Sequence, residues 1–226
     1  MKKVLTLAVA AALAGGTAMT HAYEAGDWIL RAGAVTVAPD ADSDVVPILG
    51  VTVDVDDDTQ LSIIPVYMVD SNWGIELLAA TPFEHDIDVN EAPISAGSTK
   101  HLPPTLTIQW YPRGNQDGWQ PYIGLGVNYT TFFSEDTSRD LDNVLEAELG
   151  AVGSDLELDD SFGLSASAGV DIPLGENWSL NAGVWYIDID TTAEVTAKFE
   201  DGSRAKVKFD VDIDPWVYNI GIAYRF

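Results

Sequence analysis

The chain ends in Pro215-Trp-Val-Tyr-Asn-Ile-Gly-Ile-Ala-Tyr-Arg-Phe226, a stretch in which two kinds of side chain alternate. Every second residue from Trp216 to Phe226 is aromatic or isoleucine, and the residues between them are smaller or polar. Successive side chains of an extended strand point to opposite faces, so one face of this strand is apolar and has aromatic rings at both ends. This pattern is typical of a strand that crosses an outer membrane, where aromatic rings lie near each headgroup layer.

Seven segments upstream alternate in the same way. With the C-terminal stretch, the predicted strands are 28–36, 61–69, 73–83, 105–110, 122–133, 162–172, 178–190 and 215–226. Short polar turns such as 112–118 join some neighbours, and four long segments join the others; the third of these contains a predicted short helix, 139–149. The pattern predicts an all-β fold, an eight-stranded antiparallel transmembrane β-barrel with short periplasmic turns and four longer extracellular loops.

A secreted eight-stranded barrel of the lipocalin kind is the soluble alternative. Alternation does not say which face is outside, since a lipocalin places its apolar face inward. Aromatic residues decide the choice, because they cluster near the ends of the apolar faces as two membrane-interface girdles would. They are Trp28, Tyr67, Trp73, Trp110, Tyr129, Phe133, Trp178, Tyr186 and Trp216.

Pro65 conflicts with a continuous second strand. Proline has no N–H to donate to a neighbouring strand, and a closed barrel has no free edge at which that loss is harmless. We therefore expect a local break or bulge at this position.

The N-terminus has the layout of a secretory signal peptide. Lys2 and Lys3 precede an apolar run, and small residues lead to Ala22. The run is shorter than the ~20 residues of a membrane-spanning helix. We predict a signal peptide over residues 1–22, an outer-membrane barrel over residues 23–226, and a location in the cell outer membrane.

Composition limits the classes of partner. The formal net charge is −25, and loss of Lys2 and Lys3 with the signal peptide makes the mature chain more acidic still. Nucleic acid is excluded as a partner because its binding depends on basic contacts. The chain has no cysteine and therefore no disulfide or thiolate metal site.

Few residues offer reactive chemistry. His85 and His101 are expected near the outer ends of the third and fourth strands, close enough to meet, but zinc needs further ligands and none is spaced to provide them. The Asp-rich stretches 40–44 and 54–58 lack the Gly and Glu of a calcium loop, and weak divalent binding there remains a minor hypothesis. The Ser residues form no nucleophile elbow. We predict no metal, no cofactor and no enzyme, although a lipid-modifying enzyme stays open as an alternative.

The inward faces suggest what the barrel holds. They combine many apolar side chains with a few polar ones such as Arg31 and Glu76. A bore of eight strands is either filled by side chains or wide enough for one small ligand. An apolar wall therefore favours a small hydrophobic molecule, with a packed plug as the alternative. The predicted lumen-lining residues are Ile64, Val66, Met68 and Ile187.

Several longer motifs occur together along the mature chain. They are Glu76-Leu-Leu-Ala-Ala-Thr-Pro-Phe83, His101-Leu-Pro-Pro-Thr105, Gln109-Trp-Tyr111, Pro121-Tyr-Ile-Gly-Leu-Gly-Val-Asn-Tyr-Thr-Thr-Phe-Phe133, Trp185-Tyr-Ile-Asp-Ile-Asp-Thr-Thr-Ala193, Asp214-Pro-Trp216 and Tyr224-Arg-Phe226. With these motifs, in this order, the chain resembles the OmpW family of outer-membrane proteins.

The resemblance implies a narrow hydrophobic channel that takes up small apolar molecules and releases them sideways into the membrane. It also implies that Leu78 and Trp185 close the channel floor as a gate. The expected partners are small hydrophobic solutes, outer-membrane lipid and lipopolysaccharide, and the barrel assembly machinery through the strand ending at Phe226; the protein is expected to be a monomer. The alternative is a structural or receptor barrel whose acidic loops contact phage, host or lipopolysaccharide.

Overall fold

The computed structural model describes residues 22–46, 50–90 and 94–226. Almost all of the predicted signal peptide lies outside the described residues, so its cleavage after Ala22 stays a prediction. In the described part of the chain, no helix is long and apolar enough to cross a membrane.

Within these residues the chain forms fifteen strands and one helix. In chain order they are β1 (Trp28–Ala38), β2 (Asp42–Ser43), β3 (Val53–Val55), β4 (Asp58–Met68), β5 (Trp73–Ala80), β6 (Phe83–Val89), β7 (Ser95–Leu102), β8 (Thr105–Trp110), β9 (Gln120–Thr137), α1 (Arg139–Leu149), β10 (Gly153–Leu158), β11 (Ser161–Pro173), β12 (Trp178–Ile187), β13 (Asp190–Lys198), β14 (Arg204–Asp212) and β15 (Trp216–Arg225).

Eight of the strands form a closed antiparallel barrel in the order β11-β12-β15-β1-β4-β5-β8-β9, and β9 pairs with β11 to complete the circle. These are the eight strands predicted from alternation, and the predicted fold class is confirmed. The C-terminal strand lies between β1 and β12, and Phe226 N–H donates to the carbonyl of Trp28. Closure leaves no free edge. A sheet in lipid must have none, because no water is present there to bond unpaired backbone groups.

The outer surface of the barrel is apolar and is bounded at each end by a girdle of aromatic side chains. Next to the short turns, Trp28 pairs with Tyr67 and Trp73 with Trp110 across neighbouring strands. At the opposite end, Tyr186 lies beside Trp216, with ring centroids 5.4 Å apart. Exposed aliphatic side chains occupy the band between the two aromatic girdles. They include Leu30, Leu61, Ile63, Ile75, Leu106, Ile108, Leu125, Leu164, Ile220 and Ile222. This is the surface that a membrane barrel presents to lipid.

Pro65 interrupts one ladder, as the sequence predicted, but produces no bulge. Pairing of β4 with β5 includes Ile63↔Ala79 and Val66↔Glu76 and skips the two positions between them. The register is the same on both sides of the gap, so only hydrogen bonds are lost there. On its other side Pro65 keeps its place opposite Leu30 of β1.

The extracellular segments are more regular than the long loops expected from the sequence. The outer part of β9 continues into a sheet with β7, β6 and β3, and β10, β13, β14 and β2 form a second sheet of four strands. Alternation explains the second sheet: Val207, Phe209 and Val211 are separated by charged residues, so one face of β14 is apolar. These apolar faces form the extracellular core.

The predicted helix is present as α1. Ser138 caps its N-terminus by accepting a hydrogen bond from the backbone N–H of Leu141, and Gly150 ends it in the left-handed conformation with φ 74°. Leu141 and Leu145 are its buried residues, and they pack in a cluster with Ala197 of the second sheet.

Candidate functional site

The barrel interior next to the periplasmic turns is filled by a network that we name the floor network. Its centre is Arg31, which is fully buried. The guanidinium contacts Glu76 at 2.6 Å and Asp171 at 2.6 Å, and its Nη2 donates to the hydroxyl of Tyr111 at 2.9 Å. The Arg31 guanidinium also lies over the ring of Tyr122, 4.4 Å from the centroid. Two buried carboxylates thus share one buried cation.

Amides and hydroxyls satisfy most of the remaining polar atoms of the floor network, although Gln109 Nε2 has no partner among the described residues. Asn181 Nδ2 donates to Asp171 at 2.8 Å, and Tyr23 donates to the same carboxylate at 2.9 Å. Asn219 donates to Asn181 at 3.0 Å and accepts from Ser62 at 2.6 Å. Buried charges are tolerated when their remaining lone pairs are satisfied in this way.

Trp185 closes the top of the floor network from one wall to the other. It comes from β12, while its partner Glu76 comes from β5, which is four strands away in either direction around the barrel. The indole Nε1 donates to Glu76 Oε1 at 3.1 Å, and Trp185 is fully buried. The ring therefore spans the bore and is fixed at both ends.

Gly183 makes room for that ring. A Cβ at this position would lie 2.6 Å from Cη2 of Trp185 and 2.9 Å from the hydroxyl of Tyr122, so any side chain would displace one of them. Glycine at this inner position therefore provides the space that the indole occupies.

The interior is therefore more polar than the sequence suggested. Besides Arg31 and Glu76, the buried polar residues of the eight barrel strands include Ser62, Thr105, Thr107, Gln109, Gln120, Asn128, Thr130, Ser165, Ser167, Asp171, Asn181 and Asn219. These residues lie on the inward faces, where the sequence analysis expected only a few polar side chains.

The predicted gate and lining residues all lie inside the barrel but at two levels. Leu78, Trp185, Ile64 and Ile187 belong to one cluster of buried apolar residues that extends into the extracellular sheets. Val66 and Met68 belong to a separate cluster lower down. Their neighbours are Tyr23, Ile29, Tyr111, Tyr122 and Ala223.

Above the floor network, the extracellular sheets enclose an apolar cavity that we name the vestibule. Its lining is largely apolar. Side chains from both sheets and from α1 line it, among them Val55, Ile87, Leu141, Leu156, Ala193, Phe209 and Ile213. The polar side chains in its lining are Thr99, Thr191 and the two histidines His85 and His101.

A smaller cavity, the wall cavity, lies beside Leu78 and Ile187. It is lined by inward-facing residues and also by Ala79, which alternates with them and pairs with lipid-facing Ile63. The strand pairing changes here: β5 pairs with β8 as far as Leu78, and pairing resumes only between β6 and β7. The wall cavity therefore reaches into the barrel wall.

Prolines explain the break in pairing at the wall cavity. Pro82 separates β5 from β6, and Pro103 and Pro104 separate β7 from β8. None of the three has an N–H to donate, so the ladder cannot continue through them. Pro103 lines the wall cavity.

Phe83 stands between the vestibule and the wall cavity. Its side chain lines the wall cavity, and its ring lies 5.4 Å from that of His101 and 6.2 Å from that of His85, both of which line the vestibule. Only 2% of Phe83 is exposed.

His85 and His101 meet as the sequence predicted. Their Nε2 atoms are 2.8 Å apart, and His85 Nδ1 lies 2.5 Å from the backbone carbonyl of Asp56. Both histidines lie on the extracellular side of the outer aromatic girdle. Tyr129 belongs to that girdle, and His101 pairs with Phe132, which lies further out on the same strand. Burial lowers the pKa of His101 to about 3, with a further contribution from His85, and burial also lowers the pKa of His85.

Acidic residues cluster outside the barrel. Asp188, Asp190 and Asp214 bring carboxylate oxygens within 4.8 Å of one another, the one such group among the described residues that could hold a metal ion. The pKa of Asp190 is raised by burial and by its acidic neighbours. Asp214 already accepts hydrogen bonds from Tyr186 and from the backbone of Ile189. Such groups are common without an ion, and we assign no metal to this one.

The family model described as the OmpW family matches residues 24–226. The chain belongs to the OmpW family. It is 42% identical over 224 residues to "Outer membrane protein W" of Vibrio cholerae serotype O1, and the match covers 97% of both chains. This OmpW-family protein is thus located in the outer membrane. The family consists of outer-membrane barrel proteins and is not a known enzyme family.

Solved structures agree with the barrel. The crystal structure of the outer membrane protein OprG from Pseudomonas aeruginosa is similar with a TM-score of 0.80 and 42% identity, covering 92% of this chain and 99% of that chain. The structure of outer membrane protein AlkL in lipid bilayers has a TM-score of 0.62, with 94% and 95% coverage. At 22% identity, that second likeness shows the fold alone.

Proposed function

We propose that this OmpW-family protein is a passive channel for small hydrophobic molecules, which enter the vestibule and leave sideways through the wall cavity. The observation that supports this proposal is the contrast along the axis of the protein: an apolar cavity lies between the extracellular sheets, and a filled polar network lies in the barrel on the periplasmic side. A solute that enters this space meets apolar side chains on the way in and fixed charges below.

The floor network supports the closed end of the channel. Every charge in it is paired, and Trp185 covers it from wall to wall. We propose that Trp185 and Leu78 act as the gate that keeps an apolar solute from the floor. An apolar molecule would gain nothing by displacing side chains that satisfy buried charges.

The wall cavity supports a lateral exit. An apolar solute at this level has lipid on the other side of the wall, and beyond Leu78 no strand pairing joins β5 to β8. Transfer from an apolar cavity into hydrocarbon exposes no apolar surface to water, so the path needs no energy source. Lipopolysaccharide, a polar layer, is the barrier that such a path avoids.

Uptake of a radiolabelled medium-chain alkane by cells with and without the protein tests this function, at equal outer-membrane integrity. We expect faster uptake with the protein. Equal uptake for several apolar solutes would contradict the proposal.

The exit can be tested separately with two tryptophan substitutions. Ala80→Trp places an indole in the wall cavity, whereas Ala166→Trp places one on the lipid-facing surface of β11. We expect Ala80→Trp to slow uptake at least several-fold and Ala166→Trp to leave it unchanged. Equal rates in the two variants would argue against a lateral exit at this place.

A structural or receptor barrel is the second candidate, favoured by the folded extracellular sheets. The test is a variant in which β13 and β14 are trimmed. Loss of binding to a phage, host or lipopolysaccharide partner, with unchanged solute uptake, would support the receptor function. We further propose that the protein is a monomer without enzyme activity, that it contacts lipopolysaccharide, and that the barrel assembly machinery recognises the strand ending at Phe226.

A further inference from the structure

One strand of the second extracellular sheet has an open edge. On one side, β14 pairs with β13 over its whole length. On the other side it pairs with β2 at Val211 and Asp212, and the carbonyl of Asp210 accepts from the N–H of Asp44 at 3.0 Å. Among the described residues, no backbone group bonds to residues 204–209 on that second side. We name this part of β14 the free edge.

Hydrogen bonds at the two ends of the β13–β14 hairpin show which residues face the free edge. Phe199 N–H donates to the carbonyl of Ser203, and Ile213 N–H donates to that of Ile189, so these odd-numbered residues bond across the hairpin. Bonded and non-bonded pairs alternate along an antiparallel ladder. The even-numbered residues of β14 therefore direct their N–H and C=O away from β13, which agrees with the outward bond of the Asp210 carbonyl. At the free edge they are Arg204, Lys206 and Lys208.

The free edge is accessible from outside the protein. Arg204, Lys206 and Lys208 are exposed, and the lysine side chains are 56% and 59% exposed. Both lysines contact Glu194 of β13, so their side chains turn toward their own sheet and leave the edge uncovered. An unpaired, accessible strand edge is a template for a further strand, and proteins bind extended peptides in this way.

Cations concentrate beside the free edge in a chain that is otherwise acidic, with 36 acidic and 11 basic residues. The outer face of the hairpin next to this edge carries four cations and one carboxylate, which are Lys198, Arg204, Lys206, Lys208 and Glu194. Glu200 and Asp201 lie in the turn beyond it. Salt screens more distant charges beyond about 8 Å. A strand paired with the free edge would place residues opposite Lys206 and Lys208 on this face, where acidic side chains favour pairing.

The other face of the free edge is apolar. Val207 and Phe209 point between the two extracellular sheets and line a cavity there with Val46 and Val51. Every residue that lines this cavity is apolar. Alternate residues of an added strand would lie beside Val207 on this face, so they should be apolar as well.

We propose that the free edge binds an extended segment of another protein as an added antiparallel strand, with acidic residues at alternate positions and apolar residues between them. The backbone of Arg204, Lys206 and Lys208 would supply the hydrogen bonds. This docking site does not depend on the channel function, and it gives the receptor candidate a surface and a class of partner. The β14 edge of a second copy fits poorly, because pairing two such edges sets cations opposite cations.

Amide hydrogen exchange tests the site at the atoms concerned, with the full-length protein in lipid nanodiscs. The probe is a short acetylated peptide in which glutamate and valine alternate. Without it, the amides of Lys206 and Lys208 should exchange quickly and those of Val207 and Phe209 slowly, because β13 accepts from the second pair. Saturating peptide should slow Lys206 and Lys208 by about 10-fold or more and leave the others unchanged. The same peptide with lysine in place of glutamate should bind about 10-fold more weakly.

A proline substitution separates the backbone contact from the charge. Lys206→Ala removes the charge and keeps the N–H, whereas Lys206→Pro removes both; this N–H does not bond to β13, so the hairpin keeps its ladder. We expect Lys206→Pro to bind the peptide about 10-fold more weakly than Lys206→Ala. If Lys206→Pro does not assemble, methylated peptides replace it. Methyl groups on the glutamate amides, which face β14, should weaken binding by the same factor, and methyl groups on the valine amides should not.

Several results would overturn the docking site. They are slow exchange of the Lys206 and Lys208 amides without peptide, no peptide binding, equal binding of the glutamate and lysine peptides, and equal binding of the two methylated peptides. Dimerisation of the protein through the free edge, without peptide binding, would replace the acidic partner by a second copy. Alkane uptake by cells producing Lys206→Pro or Lys206→Ala should equal that of the wild type. If the wild-type protein fails to speed uptake, the channel function fails and the docking site stands.

Discussion

The interior of the barrel is polar beside the periplasmic turns and apolar beside the extracellular sheets. In the floor network, Arg31 is shared between Glu76 and Asp171. In the vestibule, a cavity is lined by side chains that make few polar contacts. Trp185 lies at the boundary and belongs to both, since its ring packs in the apolar cluster and its N–H bonds to Glu76.

The two regions differ in how they respond to loss of a side chain. A charge network depends on every member, because removal of one leaves another buried without a counter-charge. An apolar cavity depends on shape, and a changed volume alters what it can admit more than whether it folds. The floor should therefore control stability, and the vestibule should control transport.

Arg31→Met is expected to have the largest effect. It leaves Glu76 and Asp171 buried without a cation and should reduce the free energy of unfolding by about 3–5 kcal/mol. Urea unfolding in lipid vesicles, followed by tryptophan fluorescence, measures the loss.

Two controls make the Arg31 result specific. Arg113→Met changes an arginine whose contacts are the carbonyl of Asp117 and the ring of Trp119, and we expect little change. A triple variant that adds Glu76→Gln and Asp171→Asn removes all the charges and should recover much of the stability. Equal losses in Arg31→Met and Arg113→Met would contradict a stabilising floor network.

Trp185→Ala should open the boundary between the two regions. We expect it to let a small polar solute leak from liposomes, which the wild-type protein does not, and to reduce stability by about 3–5 kcal/mol. Trp185→Phe keeps most of the ring and loses only the hydrogen bond to Glu76, so it should leak far less. If the solute leaks equally slowly through all three proteins, Trp185 does not act as a gate.

Acid should weaken the extracellular side through the histidines. The pKa of His101 is about 3 in the folded protein, so between pH 6.5 and 3 the unfolded chain binds a proton that the folded chain does not. Stability is complete above pH 6.5 and falls as the pH is lowered, by on the order of a few kcal/mol. Asp56, Asp57 and Asp58 face His85 and oppose its depressed pKa in part.

The measurement for this pH effect is urea unfolding at several pH values for the wild type and for His101→Asn. The variant lacks the titrating ring, so its profile should be flatter in the same range. Parallel profiles would show that the neutral histidine is not what acid disturbs.

The smallest effect is expected on the outside of the second sheet. Glu194 contacts Lys206 and Lys208, and these contacts lower the pKa of Glu194 and raise that of Lys208. The lysines are more than half exposed, so water and salt screen the pairs. Lys206→Met should barely change the rate at which chymotrypsin cleaves the β13–β14 hairpin, and a large increase would show that this charge cluster holds the sheet.

The barrel could be predicted from the sequence because each of its strands has one face in lipid. The face of a strand that contacts lipid must be apolar along its whole length. This is visible as an apolar side chain at every second position from Trp216 to Phe226. The family motifs supplied Leu78 and Trp185, whose positions inside the barrel agree with the alternation.

The floor network and the extracellular sheets were harder to predict for physical reasons. The partners of Arg31 come from strands far apart in the chain, and alternation does not show which inward residues meet. Asp171 has nothing local in the sequence to mark it as a partner. The sheets were read as loops because Asp and Lys dominate them, although Val207, Phe209 and Val211 alternate in β14.

The most direct test of the account is alkane uptake by cells producing Ala193→Trp or Ala166→Trp at equal levels in the outer membrane. Ala193 is 2% exposed and lines the vestibule, whereas Ala166 faces lipid. Filling the vestibule should reduce uptake to the rate of cells without the protein, and the lipid-facing indole should leave wild-type uptake. Equal, undiminished uptake in both variants would contradict a transport path through the vestibule.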